Sequence, residues 1–253
     1  MRTLLLIILL LANAAVAKDS ARETELSYLR AVMPDGLLPF AHLEIAGEKN
    51  IALVGEGDAR HLGLHIIPGQ KKVSNGIRAE LSVNYPCKPG DTVRYAWRCR
   101  LPADFVTDAP KNRWWVIGQW HDQPDRSRGE TWSSFPASSP PVALGLGERD
   151  GHPCIALSYG PTNGKGPRKT AGPVPFERDT WHTIAIVIHW SRGPDGTAAV
   201  YLDDPAKPVL TAAGPNMNND IQHYLKLGMY RHPDIATDNW IYLDDLTIST
   251  VAP

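Results

Sequence analysis

The sequence predicts an all-β fold, an antiparallel sandwich or jelly roll, for a chain of 253 residues. Short runs rich in β-branched and aromatic residues recur along the chain, and many alternate apolar with polar side chains. Turn-forming clusters such as Pro68-Gly69 and Asp150-Gly151 separate these runs, and the chain contains 22 Pro and 21 Gly. The length suits one large β domain or two small ones, and we expect a single packed core.

The first 17 residues differ from the rest. MRTLLLIILLLANAAVA has a single Arg, an apolar run and then small residues that end in Ala15-Val16-Ala17. This order is typical of a secretory signal peptide with an A-x-A cleavage site. The apolar run is short for a membrane span, and no other stretch approaches one. We therefore expect a leader over 1–17, one domain over 18–253, a secreted or periplasmic location and no membrane insertion.

Ten strands are predicted after a helix-prone segment at Ala21–Val32. One of them, Trp181–Trp190, is apolar on nearly both faces and should lie inside a sheet. Residues 122–140 and 160–175 are polar and rich in Gly, Pro and Ser, which predicts long loops. The ten strands are 62–67, 77–84, 92–101, 113–121, 141–147, 154–159, 181–190, 197–202, 223–230 and 239–249.

The net charge limits the expected binding partners, and the cysteine content limits the expected metal sites and disulfides. The formal net charge is -1, so no general attraction to nucleic acid is expected. The three cysteines, Cys87, Cys99 and Cys154, have no metal-type spacing and an odd count, so at least one must stay unpaired within the chain. Free buried thiols and a monomeric protein are expected.

Three predicted strands carry an unusual polar set opposite their apolar side chains. In strand 113–121, alternation puts Gln119 and His121 on one face and Trp114 on the other. Each polar pair alone is typical of a solvated sheet face. Together the three strands supply an amide, an imidazole, a guanidinium, an ammonium and phenols, the groups needed to remove a proton α to a carboxylate. The polar residues are Arg78, Glu80, Gln119, His121, Tyr224, Lys226 and Tyr230.

These strands resemble the signature strands of jelly-roll polysaccharide lyases. The segments are RAEL (78–81), QWH (119–121) and YLKLGMY (224–230). The heparin lyase I and glucuronan lyase group is more similar than the alginate lyases, because Trp lies between Gln and His and Arg231-His232-Pro233 replaces the usual Asn-x-Gln continuation. The resemblance extends to WIYLDDLTI at 240–248. It implies a concanavalin A-like β-jelly roll with a concave substrate groove.

The resemblance also implies an activity, the β-elimination of a polysaccharide that contains uronic acids, such as glucuronan or another polyuronate. Arg78 and Gln119 are expected to stabilise the substrate carboxylate, and His121 and Tyr230 to transfer protons. Glu80 is expected to hold Arg78 in place. The expected partner is an anionic polysaccharide, and no cofactor is required.

Further binding residues are expected around this set. Lys226 is a candidate for binding a substrate carboxylate or for helping Tyr230 to ionise. Asp245, near the end of the chain, is a candidate ligand of a structural Ca²⁺. The full set of predicted substrate-binding residues is Glu80, Lys226, Tyr224, Arg231, Arg98 and Lys72.

Two other functions fit parts of the pattern. A non-catalytic concanavalin A-like carbohydrate-binding module would keep the fold but would not need Gln, His and Tyr on one face. A laminarinase-like glycoside hydrolase would need two carboxylates on one strand, and Glu56-Gly57-Asp58 is not followed by the second Glu. Nucleophilic serine chemistry lacks a G-x-S-x-G motif.

Overall fold

The protein is a sandwich of two seven-stranded antiparallel sheets, which confirms the predicted fold class. The computed structural model describes residues 18–162 and 168–252, so the predicted leader lies outside it. The strands are β1 (Ala41–Glu44), β2 (Ile51–Val54), β3 (His61–Ile66), β4 (Ile77–Val83), β5 (Thr92–Arg100), β6 (Trp115–His121), β7 (Val142–Arg149), β8 (His152–Tyr159), β9 (Lys169–Pro175), β10 (His182–His189), β11 (Thr197–Leu202), β12 (Leu210–Ala213), β13 (Tyr224–Arg231) and β14 (Asn239–Val251). The first sheet has the order β1-β4-β13-β6-β7-β8-β9, and the second β12-β11-β10-β5-β14-β3-β2.

All ten predicted strands are present, and four further strands were not predicted. The four are β1, β2, β9 and β12, and each lies at an edge of its sheet. The prediction of a loop over 160–175 is corrected, because β9 occupies its second half. Strand β10 lies inside the second sheet, as its apolar sequence indicated.

Helical structure is limited. Residues 18–29 form an α-helix, and short 3₁₀ helices cover Asp35–Phe40, Glu48–Asn50, Gly57–Ala59 and Arg126–Arg128. No helix within the described part of the chain is long and apolar enough to cross a membrane. The α-helix buries Leu29 in the core, and Glu25 Oε1 accepts a hydrogen bond from the backbone nitrogen of Leu43 at 2.6 Å. The helix thereby ties down β1, whose edge would otherwise be open.

The core lies between the two sheets and is rich in aromatic side chains. Trp120 of the first sheet lies 6.4 Å from Trp97 and 5.3 Å from Tyr95 of the second sheet, measured between ring centroids. All three rings are buried. Large rings remove much apolar surface from water, so these contacts fix how the two sheets pack. The opposite face of the first sheet is left for polar side chains.

The cysteines are all free thiols. Cys99 and Cys154 are buried, and Cys87 is half-buried. Burial raises the pKa of the Cys87 thiol to about 11, so this thiol stays protonated near neutral pH. The expectation of free buried thiols agrees with Cys99 and Cys154, whereas Cys87 is only partly buried.

A β-bulge in β6 corrects one predicted side-chain orientation. Ile117 and Trp120 both lie in the core although they are three residues apart, because the pairing of β6 with β7 shifts register between Val116 and Gly118. A bulge inserts one residue and reverses the alternation beyond it. Trp114 therefore lies on the same face as Gln119, where it contacts Tyr230. The prediction that Trp114 faces away from Gln119 was wrong.

Gly228, in the middle of β13, allows this strand to pair closely with β4. Its φ is 136°, and a Cβ there would overlap the carbonyl oxygen of Ala79. We expect Gly228→Ala to lower the free energy of unfolding by about 1–3 kcal/mol, the usual cost of overpacking. Urea denaturation measures this loss. Gly36→Ala is the control, because no atom lies within 4 Å of a Cβ at Gly36, and equal stability of the two variants would contradict the prediction.

Candidate active site

The predicted catalytic residues lie together on the outer face of the first sheet, on the adjacent strands β4, β13 and β6. Directly paired residues of antiparallel strands project to the same side, so the strand register shows which side chains are neighbours. The register places Tyr230 opposite Arg78, Lys226 opposite Gln119 and Tyr224 opposite His121. The three signature segments thus form one continuous polar surface, and the chemical roles of its residues stay predictions.

Glu80 is the centre of this surface. Its side chain is 1% exposed, and its two carboxylate oxygens accept hydrogen bonds from Arg78 Nη1 at 3.0 Å and Gln119 Nε2 at 2.6 Å. Burial raises the pKa of Glu80, although the charge of Arg78 opposes this effect. Glu80 therefore orients two hydrogen-bond donors, which agrees with the predicted holding of Arg78 and leaves little of Glu80 itself accessible.

Glu44 is a member of the cluster that was not predicted from the sequence. It ends β1 directly opposite Glu80, and Lys226 Nζ lies 2.7 Å from its Oε1. Arg78 Nη1 lies 3.6 Å from its other oxygen. Burial would raise the pKa of Glu44, but the charge and hydrogen bond of Lys226 lower it below its usual value. Lys226, predicted to meet the substrate, is 4% exposed and is held by this internal ion pair.

Tyr230 lies at one end of the cluster between two planar groups. The guanidinium carbon of Arg78 is 4.1 Å from the centre of its ring, and the indole of Trp114 packs edge-on at 4.7 Å. The loop before β4 closes against the same ring, since a Cβ on Gly76 would overlap it. These contacts fix the ring. Arg78, and not Lys226, is the cation next to Tyr230, whereas Lys226 lies 5.4 Å from the ring of Tyr224.

His121 is oriented by Asp122, which the sequence analysis did not single out. Its Nδ1 lies 2.8 Å from Asp122 Oδ1 and 2.9 Å from the Asp122 carbonyl oxygen. Both partners accept hydrogen bonds, so Nδ1 carries the proton and Nε2 of a neutral ring is free to accept one. Ser138 and Asn218 donate to the same carboxylate at 2.6 and 3.1 Å. The signal in the sequence was the acid directly after QWH.

Replacing this acid should have a pH-dependent effect on stability. Burial alone would raise the pKa of Asp122, but hydrogen bonds from His121, Ser138 and Asn218 lower it below the ordinary 3.8. Its stabilising contribution is thus present above pH 3.8 and is lost as the pH falls below that value. We expect Asp122→Asn to cost about 1.5–3 kcal/mol at neutral pH and less in acid.

Urea unfolding of wild type and Asp122→Asn at neutral and acidic pH measures this difference. Asp104→Asn, an exposed position, is the matched control. A destabilisation by Asp122→Asn that is the same at both pH values would contradict the prediction.

Two predicted substrate-binding arginines lie elsewhere. Arg98 is on β5 of the second sheet, where it pairs with Asp244 at 3.4 Å and Asp245 at 3.6 Å. Arg231 is 0% exposed and lies with its guanidinium carbon 5.3 Å from the ring centre of Trp115. Strand alternation points it to the core side, opposite to Tyr230. Both predictions are corrected, because neither side chain reaches the polar surface.

The remaining two predictions are Ca²⁺ binding by Asp245 and substrate binding by Lys72. Within the described residues, no group of three or more His, Cys, Asp or Glu side chains could hold a metal ion. Asp245 lies 3.6 Å from Arg98 Nη1, and Ca²⁺ binding by Asp245 stays a prediction. Lys72 is exposed in the loop between β3 and β4, two residues before Ser74, whose hydroxyl lies 3.4 Å from Glu44. Substrate binding by Lys72 stays a prediction.

Comparisons with known proteins agree with the fold described above. A family model described as polysaccharide lyase matches residues 48–247. No curated protein matches the chain. Among solved structures, the endo-β-1,4-glucuronan lyase of the fungus Trichoderma reesei has a TM-score of 0.59 at 15% identity, over 83% of this chain and 87% of that chain.

Two alginate lyases are similar as well. A family 7 alginate lyase in complex with its substrate has a TM-score of 0.57 at 11% identity, over 81% of this chain and 82% of that chain. An alginate lyase of Pseudomonas aeruginosa has a TM-score of 0.56 at 15% identity, over 86% of this chain and 100% of that chain. At these identities the likeness shows a shared fold.

Proposed function

Because this chain belongs to the polysaccharide lyase family, we propose that it cleaves a uronic-acid-containing polysaccharide by β-elimination, with glucuronan or a similar polyuronate preferred. The observation that carries the proposal is the set of Arg78, Gln119, His121 and Tyr230 on one face of three adjacent strands. The similarity to a glucuronan lyase supports the choice of polymer.

The first requirement of this reaction is to stabilise a carboxylate. The C5 proton of a uronate is weakly acidic because it is α to the C6 carboxylate, and its removal puts more negative charge on that group. Arg78 and Gln119 are the donors assigned to it. Both are held by Glu80 in a site with little exposure to water, where fixed donors stabilise developing charge most strongly.

The second requirement is a pair of proton transfers. A base takes the C5 proton, the electron pair forms the C4–C5 double bond, the C4–O4 bond breaks, and an acid protonates O4 of the leaving sugar. In glucuronate and mannuronate the C5 proton and O4 lie on the same side, so Tyr230 serves as both base and acid. In iduronate and guluronate they lie on opposite sides, so two residues are needed, and His121 is proposed as the base and Tyr230 as the acid. This assignment requires both side chains to extend toward one sugar, because His121 is level with Tyr224, six residues along β13 from Tyr230.

These steps move protons and one electron pair within the substrate, so the proposal invokes no cofactor. The polymer would be met outside the cytoplasm, because residues 1–17 have the pattern of a secretory leader. The proposed partner is therefore an extracellular or periplasmic anionic polysaccharide.

A substrate panel tests the proposal directly. The purified mature protein is incubated with glucuronan, polymannuronate, polyguluronate, heparin, heparan sulfate and hyaluronan, and the absorbance of the unsaturated product is followed. We expect the highest rate on glucuronan. We also expect His121→Ala to spare more activity on glucuronan and polymannuronate than on polyguluronate. A folded protein that binds a polyuronate without any gain in absorbance would instead be a carbohydrate-binding module.

A further inference from the structure

Two exposed tryptophans lie next to the proposed active site. The chain has eight tryptophans, and six of them are buried or half-buried. Trp114 and Trp132 are 44% and 52% exposed. A large ring left in water contributes little to folding, so two such rings beside one polar surface point to a binding role.

Trp114 is at the end of the surface that carries the proposed proton donor. Its indole contacts the ring of Tyr230 at 4.7 Å with an interplanar angle of 66°, and the ring of His232 at 5.8 Å. The bulge in β6 turns it to this face. A sugar ring on this indole would therefore lie beside the bond that is cleaved.

Trp132 is at the opposite end and belongs to the loop after β6. Its ring lies 6.1 Å from Tyr224 and 5.9 Å from Phe135. The turn that carries it is held by hydrogen bonds, from the backbone nitrogen of Thr131 to Ser134 Oγ at 3.0 Å and from the backbone nitrogen of Phe135 to the Thr131 carbonyl at 2.9 Å. The indole is thus presented by an ordered turn, which lowers the entropic cost of binding.

The two indoles contact tyrosines at opposite ends of β13. Tyr224 and Tyr230, the tyrosines that they contact, are six residues apart on β13, and six residues of extended strand span about 20 Å. Gln119, opposite Lys226, lies between these positions in the strand register, and Arg78 is level with Tyr230. A single sugar cannot bridge this distance, whereas a chain of several sugars can.

We propose that Trp114 and Trp132 are stacking platforms for two pyranose rings of the substrate on either side of the catalytic residues. Trp114 holds the sugar next to the cleaved bond, and Trp132 holds a sugar several units away along the chain. The C–H faces of a pyranose pack on an indole, while the uronate carboxylates meet water or the donors of the surface. The inference rests on the proposed function, since it places the polyuronate on this face.

Kinetics on glucuronan oligosaccharides of increasing length test the two platforms separately. Trp132→Ala should raise KM about tenfold for long oligosaccharides and leave the shortest cleaved one unchanged. Trp114→Ala should raise KM for every length, and Trp114→Phe should restore most of the affinity because it keeps a stacking ring. Trp240→Ala is the control, since this indole stacks on His65 at 4.2 Å in the other sheet.

Binding without cleavage separates this inference from the lyase assignment. Tryptophan fluorescence titration with the same oligosaccharides should show, for each Ala variant, the loss of affinity expected from its KM. This loss should appear whether or not unsaturated product forms. The inference is overturned if both variants bind every length as tightly as the Trp240→Ala control. It is also overturned for Trp114 if Trp114→Ala lowers kcat with unchanged affinity, because its role would then be only to pack against Tyr230.

Discussion

Tyr230→Phe should lower turnover on the preferred polyuronate by about two to four orders of magnitude, the usual contribution of a general acid and base. The substitution keeps the ring between Arg78 and Trp114 and removes only the hydroxyl that would carry the proton. Packing should be preserved, so the loss should appear in kcat with little change in thermal stability. Initial rates of unsaturated-product formation measure it.

Tyr201→Phe is the matched control for this loss, since Tyr201 lies on β11 of the other sheet. It should retain the wild-type rate. Near wild-type turnover by folded Tyr230→Phe would exclude Tyr230 as the proton carrier and would leave His121 as the remaining candidate.

Gln119→Ala should lower kcat about a hundredfold or more and change KM little, because a donor to developing charge matters most in the transition state. Gln119 is 1% exposed and donates to Glu80 at 2.6 Å, so its amide is already oriented before substrate binds. Steady-state kinetics separate the two constants, and thermal unfolding confirms that the variant is folded. A folded variant with unchanged kcat would remove Gln119 from the mechanism.

The strands that could be predicted from the sequence are those with neighbours on both sides. β4, β13 and β6 alternate clearly because one face is buried in the core and the other carries the polar surface. The missed strands are all edge strands, which are short or exposed on both faces. β9, for example, contains Gly172, Pro173 and Pro175, residues that predict a turn but are tolerated at a sheet edge.

The failure to predict the edge strands explains why Glu44, one of the two missed site residues, was not found. Glu44 lies on the edge strand β1, and its partner Lys226 is 182 positions away in the sequence, so no local pattern connects them. The four-residue alternation of AHLE at 41–44 was the available signal. Trp114 was misplaced for a different reason, since strict alternation fails at a bulge that is visible only in the strand pairing. Arg231, by contrast, could have been assigned to the core side from its parity with Tyr230.

The buried cluster of Glu44, Arg78, Glu80 and Lys226 has a consequence for how the protein responds to salt. Its two acids and two bases lie in ion pairs with one another, and each side chain is at most 9% exposed. Dissolved ions weaken attraction between exposed charges, but they reach buried pairs far less. A lyase that attracted its polyanion through exposed lysines would lose affinity steeply as the ionic strength rises. This surface offers oriented donors and aromatic rings instead. We therefore expect its affinity for the polymer to fall little at high ionic strength.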